Sequence, residues 1–229
     1  MHFPFGKMVI ILENFDVILF DLDGTVIDSE EGITKCVRYT LEKFGITENS
    51  RERLIRFIGP SLIYSFTEFY GFDKAQAEAA VAVYRERYSV TGIMECRVID
   101  GIPEALKLLS ESGKRIGLAT SKPEVYAEKI LKAFEIEKYF DVITGAELDG
   151  SRIDKADVIE ECLRRMGYPD RKSVLMVGDR KHDIEGAKLC GVCSAGIPYN
   201  FTEPGEFEAA GAEYIFDSPV SLARAVLRL

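Results

Sequence analysis

Histidine is nearly absent from this chain, which holds only His2 and His182, and its five cysteines (Cys36, Cys96, Cys162, Cys190 and Cys193) are an odd set scattered over 229 residues. A disulfide framework calls for an even set in a small chain, so these thiols read as reduced cysteines of a cytoplasmic protein. Cys190-Gly-Val-Cys193 has C-x-x-C spacing, but a zinc site needs further ligands at matching spacing and two histidines do not supply them. The simpler reading ends a helix at Gly191 and starts a strand at Cys193. Long apolar runs are also missing. Residues 8–12 form a short one, but it is followed by Glu13 and Asp16, too short for a signal segment and far too short for a membrane span. Cations are outnumbered, with 29 Lys and Arg against 38 Asp and Glu and a net charge of −9. That balance disfavours a nucleic-acid polymer or an anionic membrane as partner, and it means that an anionic substrate must find local cations in its site. What remains is an ordinary globular composition, 47% hydrophobic and 29% charged, sized for one large domain or two small ones.

The most informative stretch is Asp21-Leu22-Asp23-Gly24-Thr25, set at the end of the apolar run Val17-Ile18-Leu19-Phe20. Residues two apart on a strand share a direction, and a turn starting inside the run re-aims the second side chain, so Asp21 and Asp23 can be neighbours without being equivalent. Two close carboxylates in a partly buried site do not both ionise cheaply; a cation neutralises them or one keeps a proton. Either outcome suits chemistry on a phosphate. An ionised Asp beside a divalent metal can attack phosphorus, and a protonated Asp can donate to the departing oxygen.

Short β-rich runs at 17–20, 115–119, 142–144, 174–177, 193–197 and 214–216 are each followed by a helical pattern, which implies a parallel sheet covered by helices. Pro123 suits a first helical turn, Gly113 and Gly167 suit helix ends, and Ser218-Pro219 suits a helix start. Between about 28 and 95 the strand signal vanishes. There Ile33, Val37, Leu41 and Phe44 keep helical spacing, Asn49 with Glu52 resembles a capping box, Gly59-Pro60-Ser61 breaks the next helix, and an Ala-rich helix runs from Asp73 to Tyr88. The expected organisation is an α/β core from residues 1–27 plus 97–229, with a helical cap domain of residues 28–96 inserted after the first strand.

Ligands of open parallel sheets bind at the carboxyl ends of the strands, where the remaining polar residues fall. Thr120-Ser121 ends the second strand, with Lys122-Pro123 leading into a helix whose free N–H groups favour a phosphate oxygen. Lys155 opens the helix after the third strand. Gly178-Asp179-Arg180-Lys181-His182-Asp183 follows the fourth, so Asp179 and Asp183 can add oxygens beside Asp21 in the hard, oxygen-rich setting that Mg2+ prefers. His182 reads as a loop residue.

With these residues in order, the chain resembles the haloacid dehalogenase-like hydrolase superfamily, whose fold is a Rossmann-like parallel sheet, with a helical cap inserted after the first motif. Residues 21–26 match the first motif, Thr120-Ser121-Lys122-Pro123 the second, Lys155 the third and Gly178-Asp179 through Asp183 the fourth. Ile58-Gly59-Pro60 and the Thr-Ser-Lys-Pro motif are similar to the phosphoglycolate-phosphatase and 5′-nucleotidase-like branch. Two departures stand out: Ala156, not proline, follows Lys155, leaving Arg152 as the fallback for the third motif, and Arg180 stands where Ser or Thr is common. The resemblance implies a Mg2+-dependent phosphatase in which Asp21 takes the phosphoryl group and Asp23 serves as acid and base. It also implies Leu22, Thr120, Ser121 and Lys155 at the phosphate, and Asp21, Asp23 (through its backbone carbonyl), Asp179 and Asp183 around the metal. Arg56, Ile58, Gly59 and Ser61 are the candidates for substrate selection in the cap. The expected partner is a small-molecule phosphate ester, and the expected assembly a monomer or homodimer.

Asp23 argues against dehalogenases and phosphonate hydrolases, which lack an acid there. A sugar phosphomutase of the β-phosphoglucomutase type shares all the motifs and is the alternative. A receiver-type phosphoacceptor module is about half this length and lacks the helical insert.

Overall fold

The computed structural model describes residues 15–149 and 151–229, so the apolar run at 8–12 lies outside the described residues. The strands are β1 (Val17–Phe20), β2 (Ile27–Asp28), β3 (Arg97–Val98), β4 (Arg115–Pro123), β5 (Val142–Ala146), β6 (Val174–Gly178), β7 (Cys193–Gly196) and β8 (Tyr214–Ile215). Six of them form one parallel sheet in the order β5-β4-β1-β6-β7-β8. All six runs expected from the sequence are strands of this sheet.

Side-chain alternation on a two-sided sheet produces two apolar layers. Ile18 and Phe20 face one layer, packed with Ile102, Leu106 and Leu109 of α5 (Ile102–Glu111), whereas Val17 and Leu19 face the other, with Val158, Ile159 and Cys162 further along the chain. Between β1 and α5 the chain builds α1 (Glu30–Lys43), α2 (Arg51–Leu54), α3 (Leu62–Tyr70) and α4 (Lys74–Tyr88). After α5 come α6 (Glu124–Ala133), α7 (Lys155–Arg165), α8 (Lys181–Cys190), α9 (Glu206–Ala210) and α10 (Pro219–Leu227). The inserted helices carry an aromatic cluster continuous with the first of the two apolar layers: Phe57 meets Phe66, Phe69 and Tyr70 at centroid distances of 5.0, 5.6 and 5.9 Å. They leave and rejoin the core through β2 and β3, which pair antiparallel with Asp28 opposite Arg97. This pairing of the two connections, two residues on each side, is too short to leave a periodic signal in the sequence.

Two local expectations need correction. The capping box placed at Asn49 and Glu52 is absent: Ser50 is the N-cap of α2, its hydroxyl accepting from the Arg53 N–H, and Glu52 accepts from that same hydroxyl. Asn49 is one residue too early to reach the first free N–H groups. Pro123 lies just before α6, still extended at φ −52° and ψ 129°, and the helix begins at Glu124.

The register of the sheet positions everything that follows. Phe20 at the end of β1 is level with Leu118 of β4 and Val177 of β6, so Asp21, Thr120 and Asp179 emerge from three adjacent strands at one edge.

Candidate active site

Immediately after β1 the chain continues the sheet for one residue, the Asp21 N–H donating to the Val177 carbonyl at 2.9 Å, and then turns. The Leu22 carbonyl accepts the N–H groups of Thr25, Val26 and Ile27 at 3.3, 2.9 and 2.9 Å, and Leu22 itself is buried. Gly24 has φ +86°, and a Cβ there would sit 2.1 Å from Asp179 Oδ2. Only glycine satisfies both the left-handed backbone and that approach. The turn re-aims Asp23 away from Asp21.

Asp21 faces the carboxylates delivered by β6 and α8. One oxygen from each of Asp21, Asp179 and Asp183 lies within 4.8 Å of the others, and all three residues are buried. Lys155, the first residue of α7, joins them, with Nζ 2.7 Å from Asp21 Oδ1, 2.8 Å from Asp183 Oδ1 and 3.1 Å from the Ala119 carbonyl. Burial works against the Lys155 charge, but Asp183 and Asp21 outweigh it and hold the ammonium above its ordinary range. Arg152, the alternative for this position, is engaged elsewhere, with the Gly145 carbonyl, Glu124 and Glu147.

Asp179 is completely buried. Its Oδ1 accepts from the Thr25 hydroxyl at 3.2 Å, while Oδ2 has no hydrogen-bond partner. Burial, then repulsion from Asp183 and Asp21, drives its carboxyl well above the usual range. Asp183 accepts the Arg180 N–H at 3.1 Å; burial pushes it up to about 6, Asp21 adding to the rise and Lys155 opposing it. Buried carboxylates in this state are under-compensated, and an unpartnered inward oxygen needs a cation or a proton. Three hard oxygens around one point fit Mg2+.

The second half of the site forms around Asp23. Lys122 Nζ is 3.0 Å from Asp23 Oδ2 and donates to the Tyr88 hydroxyl of α4 at 2.7 Å. Burial opposes the Lys122 charge, but Asp23 and its neighbours raise it above the ordinary lysine value. Asp23 Oδ1 is buried and unpartnered. Thr120 is buried, its Oγ1 accepting the Lys122 N–H at 3.2 Å, and Ser121 lines the adjoining space. A cavity of about 170 Å³ opens here, walled by Asp23, Ser121 and Lys122 on the core side and by Ile33, Phe57, Val81, Tyr84 and Tyr88 on the inserted helices, with Tyr126 of α6 beside them. Tyr84 and Tyr88 stack at 5.3 Å, and Tyr88 meets Tyr126 edge-on at 5.4 Å.

Gly59 and Ser61 line this cavity. Ile58 is buried and contributes its carbonyl, which accepts from Arg180 Nη1 at 3.1 Å. Arg56 lies elsewhere: it stacks over Phe69 at 3.9 Å and faces a separate groove with Arg180 and His182. Arg180 turns away from the carboxylates, bridging Glu206 at 3.0 Å and the Ile58 carbonyl. His182, expected in a loop, is the second residue of α8, and among the described residues its ion pair is with Glu185, at 3.8 Å. Cys190 donates to the Ala156 carbonyl and burial pushes its thiol up to about 12; helix α8 ends there and β7 starts at Cys193, the arrangement expected from Gly191.

Sequence reasoning missed Lys122, Tyr88 and Thr25 as site residues. Lys122 carried a faint signal, standing two residues after Thr120 at a strand end. Tyr88, 34 positions away and on a helix of the insert, carried none.

With this geometry established, comparison with known proteins is direct. The haloacid dehalogenase-like hydrolase family matches residues 18–197, and the chain belongs to that family. It is 46% identical over 192 residues to a 5′-nucleotidase of Pseudomonas aeruginosa, covering 84% of this chain and 86% of that one. A phosphoglycolate phosphatase of Aquifex aeolicus is 31% identical over 179 residues, 78% of this chain and 83% of that one. Among solved structures, a predicted phosphatase from Clostridium acetobutylicum superposes with a TM-score of 0.91 at 40% identity, over 95% of this chain and all of that one. Within the family, this chain is a phosphatase. Among the described residues no helix is long and apolar enough to cross a membrane.

Proposed function

We propose that this phosphatase hydrolyses a small-molecule phosphomonoester by way of a phosphorylated Asp21, with Mg2+ held by Asp21, Asp179 and Asp183. The observation that carries the reading is the convergence of those three buried carboxylates with one oxygen, Asp179 Oδ2, left without a partner. The three carboxylates share their end of the site with one buried ammonium, Lys155, a deficit of two charges that one divalent cation balances. When bound, Mg2+ supplies neutralising charge and orients the phosphoryl group.

The chain's own residues then divide the work. A carboxylate oxygen of Asp21 attacks phosphorus as the bond to the leaving oxygen breaks, and Asp23, protonated at this stage, gives its proton to that oxygen. In the second step Asp23 takes a proton from water, the water oxygen attacks phosphorus, and the bond to Asp21 breaks, releasing inorganic phosphate and restoring both side chains. Lys155 holds Asp21 in line, and Thr120 and Ser121 face the phosphoryl oxygens. Positioning and electrostatics provide most of the acceleration in a reaction of this type. The inserted helices exclude water from the first step.

The cavity beyond Asp23 favours a leaving group that is flat and largely uncharged. Its walls are mainly aromatic and aliphatic, its buried ammonium, Lys122, is already paired, and the Arg85 guanidinium that also lines it donates to the Leu148 carbonyl and shares the wall with Glu147, which is a poor setting for the carboxylate of phosphoglycolate. A nucleoside monophosphate, with its base among the tyrosines, suits it better, and the 46% identity to a 5′-nucleotidase supports the same choice.

The test is phosphate release by purified protein with Mg2+ from a panel of nucleoside monophosphates, sugar phosphates and phosphoglycolate. Nucleoside monophosphates are expected to give the highest kcat/KM, and Asp21→Asn to lower turnover by about a thousandfold or more with the fold intact. Sugar-1-phosphate isomerisation without phosphate release would instead make the protein a mutase, and normal turnover by Asp21→Asn would remove it as nucleophile.

A further inference from the structure

Asp23 is held by one oxygen and free at the other. Its Oδ2 is 3.0 Å from Lys122 Nζ, its Oδ1 is buried without a hydrogen-bond partner, and the residue lines the cavity that faces the inserted helices. A carboxylate that exchanges a proton with a leaving oxygen needs this division: one oxygen fixed so that the plane does not rotate, the other open to the reacting atom. Lys122 is suited to the fixing role because it is itself fixed. Its backbone N–H donates to Thr120 Oγ1 at 3.2 Å, its side chain is buried, and its ammonium donates to the Tyr88 hydroxyl at 2.7 Å.

That last contact crosses between two parts of the fold. Lys122 belongs to β4 of the core, and Tyr88 ends α4 of the insert, wedged between Tyr84 and the core residue Tyr126. Displacing α4 from the core would remove both the hydroxyl that Lys122 donates to and the ring that covers its ammonium, 4.8 Å away, leaving the side chain one fixed partner fewer and open to water. Lys155 has no such dependence, since its contacts at Asp21, Asp183 and Ala119 all come from the core.

Resting on the phosphatase reading above, we infer that Lys122 is a positioning residue that orients Asp23, and that Tyr88 makes this orientation conditional on the inserted helices being seated on the core. Proton transfer to the leaving group is thereby confined to the state in which the cavity is covered, while the Asp21 end stays assembled throughout.

The experiment compares turnover of an alkyl phosphate, whose leaving oxygen needs a proton, with that of p-nitrophenyl phosphate, which needs little help. Tyr88→Phe keeps the ring and its packing and removes only the hydroxyl. It should lower kcat on the alkyl ester by about tenfold or more, the worth of one hydrogen bond to a charged group, and lower p-nitrophenyl turnover by several-fold less. Lys122→Met should cost the alkyl ester about a hundredfold, the lower range for an acid-base contribution. In an Asp23→Asn background, Lys122→Met should add almost nothing, because a residue that acts through Asp23 has no further route to the reaction. Equal losses on both substrates, or full additivity with Asp23→Asn, would overturn the inference, because a purely structural lysine behaves in that way. Should Lys122→Met not fold, Tyr88→Phe decides alone. Wild-type protein inactive on both esters with Mg2+ would instead bring down the phosphatase reading, and this inference with it.

Discussion

The two ends of the site are built on different plans. Around Asp21, every contact comes from strand ends and helix starts of the sheet domain, three carboxylates offer oxygens within 4.8 Å of one another, and Lys155 reaches two of them, Asp21 and Asp183. Around Asp23, the core supplies Lys122 and Ser121, but Tyr88, Tyr84, Phe57 and Val81 come from the insert, and the walls are mainly apolar. The first arrangement is a rigid charge cluster suited to one invariant group, the phosphoryl. The second is a composite surface, suited to a leaving group that differs from one substrate to another, and its polar contacts depend on how two parts of the chain meet.

The sharpest way to break this comparison is at Lys155. Lys155→Ala leaves Asp21 and Asp183 buried without their shared ammonium, and removing one partner of such a buried network costs about 3–5 kcal/mol. Turnover should fall at least about a hundredfold, and the metal-free protein should melt lower, with Mg2+ recovering part of the loss. Arg152→Ala, which affects only Glu124, Glu147 and the Gly145 carbonyl, should change turnover by less than about tenfold. Kinetics and thermal melts of the two variants decide the matter; a larger loss for Arg152→Ala would mean that the charge cluster is not the centre of the chemistry.

The same division explains what could be read from the sequence. The Asp21 end was legible because the residues that matter sit at fixed offsets from strand ends: Asp21 follows Phe20, Asp179 follows Gly178, and Lys155 starts a helix. Parallel register then brings those ends level, as Phe20, Leu118 and Val177 are. The six strands were legible for the same reason, each being a short β-rich run between turn signals. At the Asp23 end, local pattern does not encode which face of α4 meets the core. Tyr84 and Tyr88 looked like ordinary helix residues, and Lys122 like the approach to α6. Arg180 could not be oriented either, because its partners, Ile58 and Glu206, lie 122 and 26 positions away.

Metal and pH provide a second, smaller test of the Asp21 end. In the metal-free protein Asp183 holds its proton up to about 6, higher than in the unfolded chain, so its contribution destabilises the fold as pH rises from about 4, the ordinary carboxyl value, through 6. Mg2+ relieves that strain only where it finds the carboxylate ionised; below pH 6 it must first displace a proton. At a fixed Mg2+ concentration, the stabilisation seen in denaturant melts should therefore shrink between pH 7 and pH 5, by roughly 1.4 kcal/mol for one displaced proton. Asp179, driven up as well, would add to the decline. The Asp183→Asn variant should lose the share of this pH dependence that belongs to one proton and keep the share of Asp179. Mg2+ stabilisation that stays flat over this range would mean that the ion binds away from these carboxylates.

The smallest expected effect lies where the insert meets the core at a distance from both aspartates, and it sharpens the contrast between the two ends. Glu206 is anchored without Arg180, since it also accepts the Lys181 and Glu203 N–H groups at 2.8 and 2.9 Å. Arg180 is thus a cation held on the core that reaches across to the buried Ile58, whose carbonyl it satisfies. Arg180→Met keeps the length of the side chain and deletes that hydrogen bond, weakening the seat of the insert by about 1.5–3 kcal/mol for a charged donor, less whatever water restores. Since seating governs the leaving-group end alone, KM for a bulky ester should rise by about three- to tenfold, the roughly 0.7–1.4 kcal/mol of that loss that water does not restore. Mg2+ affinity, which belongs to the other end, should stay within about twofold of wild type, because the guanidinium points away from the carboxylates and the Arg180 N–H that Asp183 accepts is kept. Steady-state kinetics beside a Mg2+ titration separates the two quantities: a fall in metal affinity as large as the rise in KM would show that the two ends form one unit after all.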